Sequence, residues 1–181
     1  MGDGPHATVD ASDVAHTSPT RKARADGVTV VQAGVDEVPA LGRFDTVVLV
    51  NVLEHIPDDA TAVKVLAEAL VPGGHLLLYV PAFDELYSEF DRRIGHHRRY
   101  RREELEARVA AAGLEVVDAR YVNLVGAVAW WVLARQLRQT PTKRWSAMTF
   151  DRVAVPVVSR LERRWPPPFG QSILCVARRP G

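Results

Sequence analysis

Two β-prone runs, Thr46-Val47-Val48-Leu49-Val50 and Leu76-Leu77-Leu78-Tyr79-Val80, flank one helix-length segment, and a chain that must bury both has few ways to fold. Neither run alternates apolar with polar residues, so each reads as a strand covered on both faces, the habit of parallel sheets sandwiched by helices. Between them, Asp58-Asp59 supplies a helix N-cap. Val63, Leu66, Ala67 and Leu70 then recur at the spacing of one helix face, and Pro72-Gly73-Gly74 ends the helix. The unit is therefore strand, helix, strand, which closes as a right-handed crossover with the two strands parallel. Ligands of such sheets bind beyond the carboxyl ends of the strands, here Asn51 to His55 and Pro81 to Asp84.

The string Phe44-Asp45-Thr46-Val47-Val48-Leu49-Val50-Asn51-Val52-Leu53-Glu54-His55-Ile56, followed by Leu70-Val71-Pro72-Gly73-Gly74-His75-Leu76, resembles the middle of a class I S-adenosylmethionine-dependent methyltransferase. The resemblance implies an α/β, Rossmann-like fold, a mostly parallel sheet whose last strand is antiparallel. It implies S-adenosylmethionine as cofactor and a small molecule as methyl acceptor.

Taken in order, Met1 to Pro5 is polar and rich in Gly and Pro, and residues 1–6 are expected to be disordered. His6 to Ser12 resembles the end of the family's second strand, which makes Asp10 a candidate ribose ligand; a solvated Asp near a frayed terminus is an equal reading. Ser18-Pro19 interrupts the segment from His16 to Arg24 and its apolar positions are few, so the helix expected there is short or poorly formed. Val28 to Gln32 reads as the third strand. The family often has an acidic adenine ligand after it, but the matching residue here is Gly34, so Asp36 or Glu37 would have to serve. No G-x-G-x-G loop lies upstream: Gly2 and Gly4 follow no strand and precede no helix. The resemblance thus covers about residues 7–181, with the first strand, glycine loop and first helix missing. A gap in the sheet, or an exposed apolar edge beside the second and fourth strands, is the expected consequence.

Beyond the central unit, Glu103 to Ala112 reads as a helix capped by Gly113, and Leu114 to Tyr121 as the sixth strand. Gln171 to Ala177 would be the last strand, antiparallel beside the fifth. Residues 122–168 form a helical insertion between these two strands of a single domain spanning 1–181. Its first part, Leu124 to Leu137, is apolar nearly all round and contains Trp130-Trp131. Burial on the domain is the simpler reading; a lid, a partner chain or peripheral membrane contact is the other, since Arg135, Arg138, Lys143 and Arg144 flank it.

A formal net charge of +1 gives no reason to expect nucleic acid as a partner. The single cysteine, Cys175, lies in an apolar run and excludes an internal disulfide, which suits a reducing, cytoplasmic location. Met1 to His16 has no apolar core, so no signal peptide is expected.

Methyl transfer is an in-line displacement that asks mainly for alignment, and sometimes for removal of a proton. Asn51 and Val52, at the tip of the fourth strand, are candidate cofactor contacts. Glu54 and His55 are candidate catalytic residues, His55 because an unperturbed imidazole titrates at about 6.5; a purely local hydrogen-bonding role for His55 is the competing reading. From Asp91 to Tyr100, six of ten residues are Arg or His. The part Gly95-His96-His97-Arg98-Arg99-Tyr100 resembles a G-H-x-R-R-Y segment of some methyltransferases. It makes His96, His97, Arg99 and Tyr100, with Phe83, candidate substrate contacts, and arginines there suit an anionic substrate. A solvated turn whose arginines pair with Asp91, Glu103 and Glu104 is equally consistent. No metal set emerges from spacing, because the adjacent His96 and His97 point apart.

Overall fold

The computed structural model describes residues 6–9, 23–25, 28–31, 33–130, 164 and 167–181. Asp10, most of the segment from His16 to Arg24, Trp131 with its flanking cations, and the stretch from Phe150 to Arg163 lie outside the described residues. Three short strands, β1 (His6–Val9), β2 (Ala23–Ala25) and β3 (Val28–Val31), form one sheet in the order β1-β3-β2. Residues 23 and 24, expected in a helix, are instead paired antiparallel to β3, with Ala23 opposite Val30.

The second sheet carries the core. Its strands are β4 (Phe44–Val50), β5 (Leu70–Pro81), β6 (Glu115–Val122) and β7 (Ser172–Arg178), in the order β4-β5-β7-β6. β4 and β5 are parallel, joined through helix α1 (Asp59–Ala69), as a crossover requires. β7 is inserted antiparallel between β5 and β6. Counting both sheets, the described pairings are mixed: β1–β3 and β4–β5 are parallel and the other three antiparallel. The expectation of a mostly parallel sheet does not hold among the described residues, because β7 reverses direction at the position that puts it beside two strands at once.

Asp58 caps α1 by accepting from the Thr61 amide at 3.0 Å, and Val63, Leu66 and Ala67 face the sheet, all buried. α1 ends where Leu70 enters β5 directly. Within β5, Val71–Gly74 then makes an irregular step, so that Phe44 pairs with Leu70 but Thr46 with His75. Gly74 is needed there: a Cβ would stand 2.9 Å from the Val71 carbonyl oxygen and 3.1 Å from those of Phe44 and Asp45. On β5, Leu76, Leu78 and Val80 are fully buried; with Leu49, Leu53, Leu105, Val109, Ile173 and Cys175 they belong to one apolar cluster. Leu105 and Val109 come from α3 (Arg102–Ala111).

β4 departs from the sequence expectation in one respect. Leu49 is buried, but Val48 and Val50 are each 57% exposed, so only one face of the strand is covered among the described residues. β4 is the outer strand of its sheet, and a run of valines does not encode which side a helix will cover. After β6, α4 (Leu124–Trp130) begins the expected insertion. Among the described residues no helix is long and apolar enough to cross a membrane.

Candidate functional site

Because β4 and β5 are parallel, their carboxyl ends open at the same edge of the sheet, and the Asn51 amide donates to the Tyr79 carbonyl across them at 2.8 Å. Asn51 has φ +52°, a left-handed conformation that Asn tolerates better than most side chains. That bend turns the chain into a short 3-10 turn, Leu53–His55, which drives Leu53 into the core and buries Glu54 completely. Past β5, Phe83 also has positive φ, +60°, a strained state for an aromatic residue. Its ring stacks on Tyr121 with centroids 4.8 Å apart, and the Arg101 guanidinium lies 5.5 Å from its centroid.

The segment from His96 to Tyr100 follows a short helix, α2 (Glu89–Arg93), and ties the two strand ends together. The His97 amide donates to the Glu54 carbonyl at 2.9 Å, the Tyr100 amide to Pro81 at 2.9 Å, and the Phe83 amide to Tyr100 at 2.9 Å. The side chains lock this arrangement from inside. Asp91, wholly buried, accepts from the Ser88 amide and hydroxyl, each at 2.8 Å, and bonds His96 Nδ1 at 2.9 Å. Two nitrogens of Arg99 reach the same carboxylate, Nη2 at 2.7 Å and Nε at 3.0 Å. Burial alone would raise the Asp91 pKa, but the bonds from His96, Arg99 and Ser88 outweigh it and hold the carboxyl down at about 2. Asp59, at the start of α1, takes the Tyr100 hydroxyl at 2.8 Å, Arg98 at 2.8 Å, and Arg108.

The segment is therefore a buried clamp rather than a solvated turn. Arg99 and Tyr100, expected to meet substrate, point inward and hold the loops instead. His96 is nearly covered, whereas His97 is exposed. Asn51 is exposed and Val52 half-buried beside the clamp. Asp36 lies in a separate 3-10 turn, Val35–Leu41, where its carboxylate occupies the space that a Cβ on Gly34 would enter.

Glu54 is the least ordinary member of the group. Neither of its side-chain oxygens has a hydrogen-bond partner, and the nearest cationic candidate, His96 Nε2, is 3.6 Å from Oε1. Burial, against weaker pulls from its own backbone, His96 and Arg99, pushes its pKa up to about 7. His55 is half-buried, its Nδ1 lies 3.2 Å from the Gly95 carbonyl, and burial lowers its pKa, which favours the neutral imidazole at physiological pH. One ligand-capable atom from each of Glu54, His55 and His96 lies within 4.8 Å of the others. Sequence spacing carried no sign of this grouping, since Glu54 and His96 are brought together only by the clamp. Beside the clamp, a cavity of about 420 Å³ is lined by Phe83, Leu86, Ala127, Val128 and Phe169, with Glu85 and Arg101 as its charged members.

A family model for the methyltransferase domain matches residues 5–119. None of the curated proteins matches the chain. Among solved structures, a chain of the Haloferax volcanii complex between the Trm112 methyltransferase activator and a methyltransferase superposes with a TM-score of 0.55 at 17% identity, covering 88% of this chain and 65% of that one. A protein from Bacillus halodurans described as a methyltransferase gives 0.53 at 21% identity, covering 87% and 74%. An S-adenosylmethionine-dependent methyltransferase from Thermotoga maritima gives 0.51 at 16% identity, covering 84% and 64%. At these identities the likeness is one of fold, and the chain spans 65% of the first of these structures and 64% of the last.

Proposed function

We propose, for a chain that belongs to the methyltransferase domain family, the S-adenosylmethionine-dependent transfer of a methyl group to a small-molecule acceptor. The observation that carries this reading is the common edge at which the β4 and β5 ends meet, fastened by the segment from His96 to Tyr100. The cofactor supplies an electrophilic methyl group; the chain's part is to hold it and the acceptor in line and to exclude water. Asn51 and Val52 would border the cofactor at the β4 tip. Asp36 would take the adenine edge, since its carboxylate stands where a side chain at position 34 would have been. Asp10 keeps its candidacy for the ribose.

The fit is incomplete on the methionine side. The sequence contains no G-x-G-x-G loop, and the described residues offer no other backbone cradle there, so the reading needs such a segment beside β4. The exposed Val48 and Val50 leave one face of that outer strand uncovered, the face that a helix following such a segment would cover. A second reading, a methyltransferase-like subunit that is inactive without a partner chain, rests on the same missing loop.

The apolar cavity beside Phe83 suits an uncharged or weakly charged acceptor. An anionic acceptor has less support, because the Arg99 guanidinium is committed to Asp91. Where the acceptor is a hydroxyl, His55 would take its proton, with Glu54 behind it. Calorimetric titration of the folded chain with S-adenosylmethionine tests the reading. Saturable binding supports it; no heat at millimolar cofactor removes catalysis by this chain alone and leaves the partner-dependent subunit.

A further inference from the structure

We propose that Glu54, His55 and His96 form a binding site for one first-row divalent transition-metal cation of the Zn²⁺ or Co²⁺ kind. Glu54 is a fully buried carboxylate whose oxygens accept a hydrogen bond from no other residue. Folds pair almost every such group, so an orphan carboxylate facing two imidazoles asks for a ligand. The His96 Nε2 to Glu54 Oε1 distance of 3.6 Å is too long for a hydrogen bond. It is close to the separation of about 3.4 Å between neighbouring ligand atoms around a tetrahedral ion with bonds near 2.1 Å. The whole set of ligand-capable atoms lies within 4.8 Å, so small side-chain rotations bring it onto one ion.

The outer partners have the arrangement that metal-binding histidines require. His96 Nδ1 lies 2.9 Å from Asp91 Oδ1, and Asp91 is itself fixed by Ser88 and Arg99. His55 Nδ1 faces the Gly95 carbonyl, which only accepts, so that nitrogen carries the proton. Nε2 of each imidazole is thereby left without a proton, that of His96 lying 3.6 Å from Glu54 Oε1, and a carboxylate orients one ring while a backbone carbonyl bonds the other. Two imidazoles and one carboxylate suit zinc, cobalt, manganese or ferrous iron better than magnesium or calcium, which favour oxygen ligands. Three protein ligands leave a fourth position open. A cation there would make His55 and Glu54 ligands rather than proton acceptors and would lower the pKa of a hydroxyl that occupied the open position.

The inference does not depend on methyl transfer, because ion binding is read without cofactor or turnover. The full chain, stripped with EDTA, is titrated with Co²⁺ and followed by its visible d–d absorption, then back-titrated with Zn²⁺ in a calorimeter. The expected result is one equivalent of Co²⁺ displaced by Zn²⁺. His55→Ala and Glu54→Gln should each weaken binding by about tenfold or more with an unchanged circular dichroism spectrum, while His75→Gln on β5 should bind as the parent does. His55 is only half-buried, so its variant carries the test if Glu54→Gln does not fold. Absence of one-to-one binding at millimolar Zn²⁺, or equal affinity in parent and His55→Ala, overturns the site.

Discussion

Replacing Asp91 with asparagine removes one negative charge from the centre of the clamp while keeping its shape. Both carboxylate oxygens are in use: Oδ2 accepts from the Ser88 amide and hydroxyl, and Oδ1 meets Arg99 and His96. An amide has one acceptor oxygen. Either its NH₂ group faces the Arg99 donors or it faces the Ser88 amide, and each choice sets donor against donor. Arg99 suffers most, because its side chain is 4% exposed and would keep its charge after losing that of Asp91. Breaking one partner of a buried pair costs about 3–5 kcal/mol, against a total stability of roughly 5–15 kcal/mol for a typical domain. For a chain of this length that corresponds to a fall in Tm of about 6–20 °C. The assay is urea denaturation at pH 7 followed by circular dichroism, in EDTA so that metal does not contribute. The midpoint should move to lower urea with the slope unchanged. A loss below about 1 kcal/mol would show that Arg99 reaches water on its own, and the buried clamp would be refuted.

Tyr100→Phe deletes the hydroxyl that bonds Asp59 at 2.8 Å and should cost about 2 kcal/mol in the same urea assay. Gly74→Ala pushes a methyl against three carbonyl oxygens and should cost about 1–3 kcal/mol, read as a lower Tm. Cys175 is fully buried, and burial pushes its thiol up to about 11 from an ordinary value of 9.0. A thiol whose folded pKa is raised contributes stability that is complete below pH 9 and lost as pH rises through 11. Relative to Cys175→Ala, the parent should lose about 3 kcal/mol across that window, and native Cys175 should resist iodoacetamide until urea unfolds the chain.

The parts of this fold that short strings encode are legible in the sequence. Asp58 as a cap and the apolar spacing in α1 each act within a few residues, so the β4–α1–β5 unit followed from them; the helix stop expected at Pro72-Gly73-Gly74 comes earlier, at Ala69, and those three residues lie within β5. The antiparallel strand beside β5 came from family resemblance rather than from local pattern, and β7 occupies that place. What sequence did not reveal depends on which distant segment lands where. The valines of β4 carry no mark of which face α1 covers, so Val48 and Val50 were expected inside and stand outside. Ala23 and Arg24 pair with β3 because Val30 and Thr29 lie opposite, a register no propensity in Ala-Arg-Ala announces. Arg99 looks like any solvent-facing arginine in its string, and only its pairing with the buried Asp91 of α2 makes it an internal strut. Glu54 and His96 are neighbours only because the His97 amide is bonded to the Glu54 carbonyl. Within the candidate site, the strand-tip residues Asn51 to His55 were readable and the roles inside the clamp were not.

The central claim is that the β4 tip, the β5 tip and the His96–Tyr100 segment make one ligand-binding edge, and amide NMR of the labelled chain titrated with S-adenosylmethionine tests it most directly. The account predicts shifts concentrated at Asn51, Val52, Phe83 and His97, with Gly74 and Gly113 at the other end unmoved. A well-dispersed spectrum with no shifts at millimolar cofactor, or shifts gathered around Gly74, would contradict it.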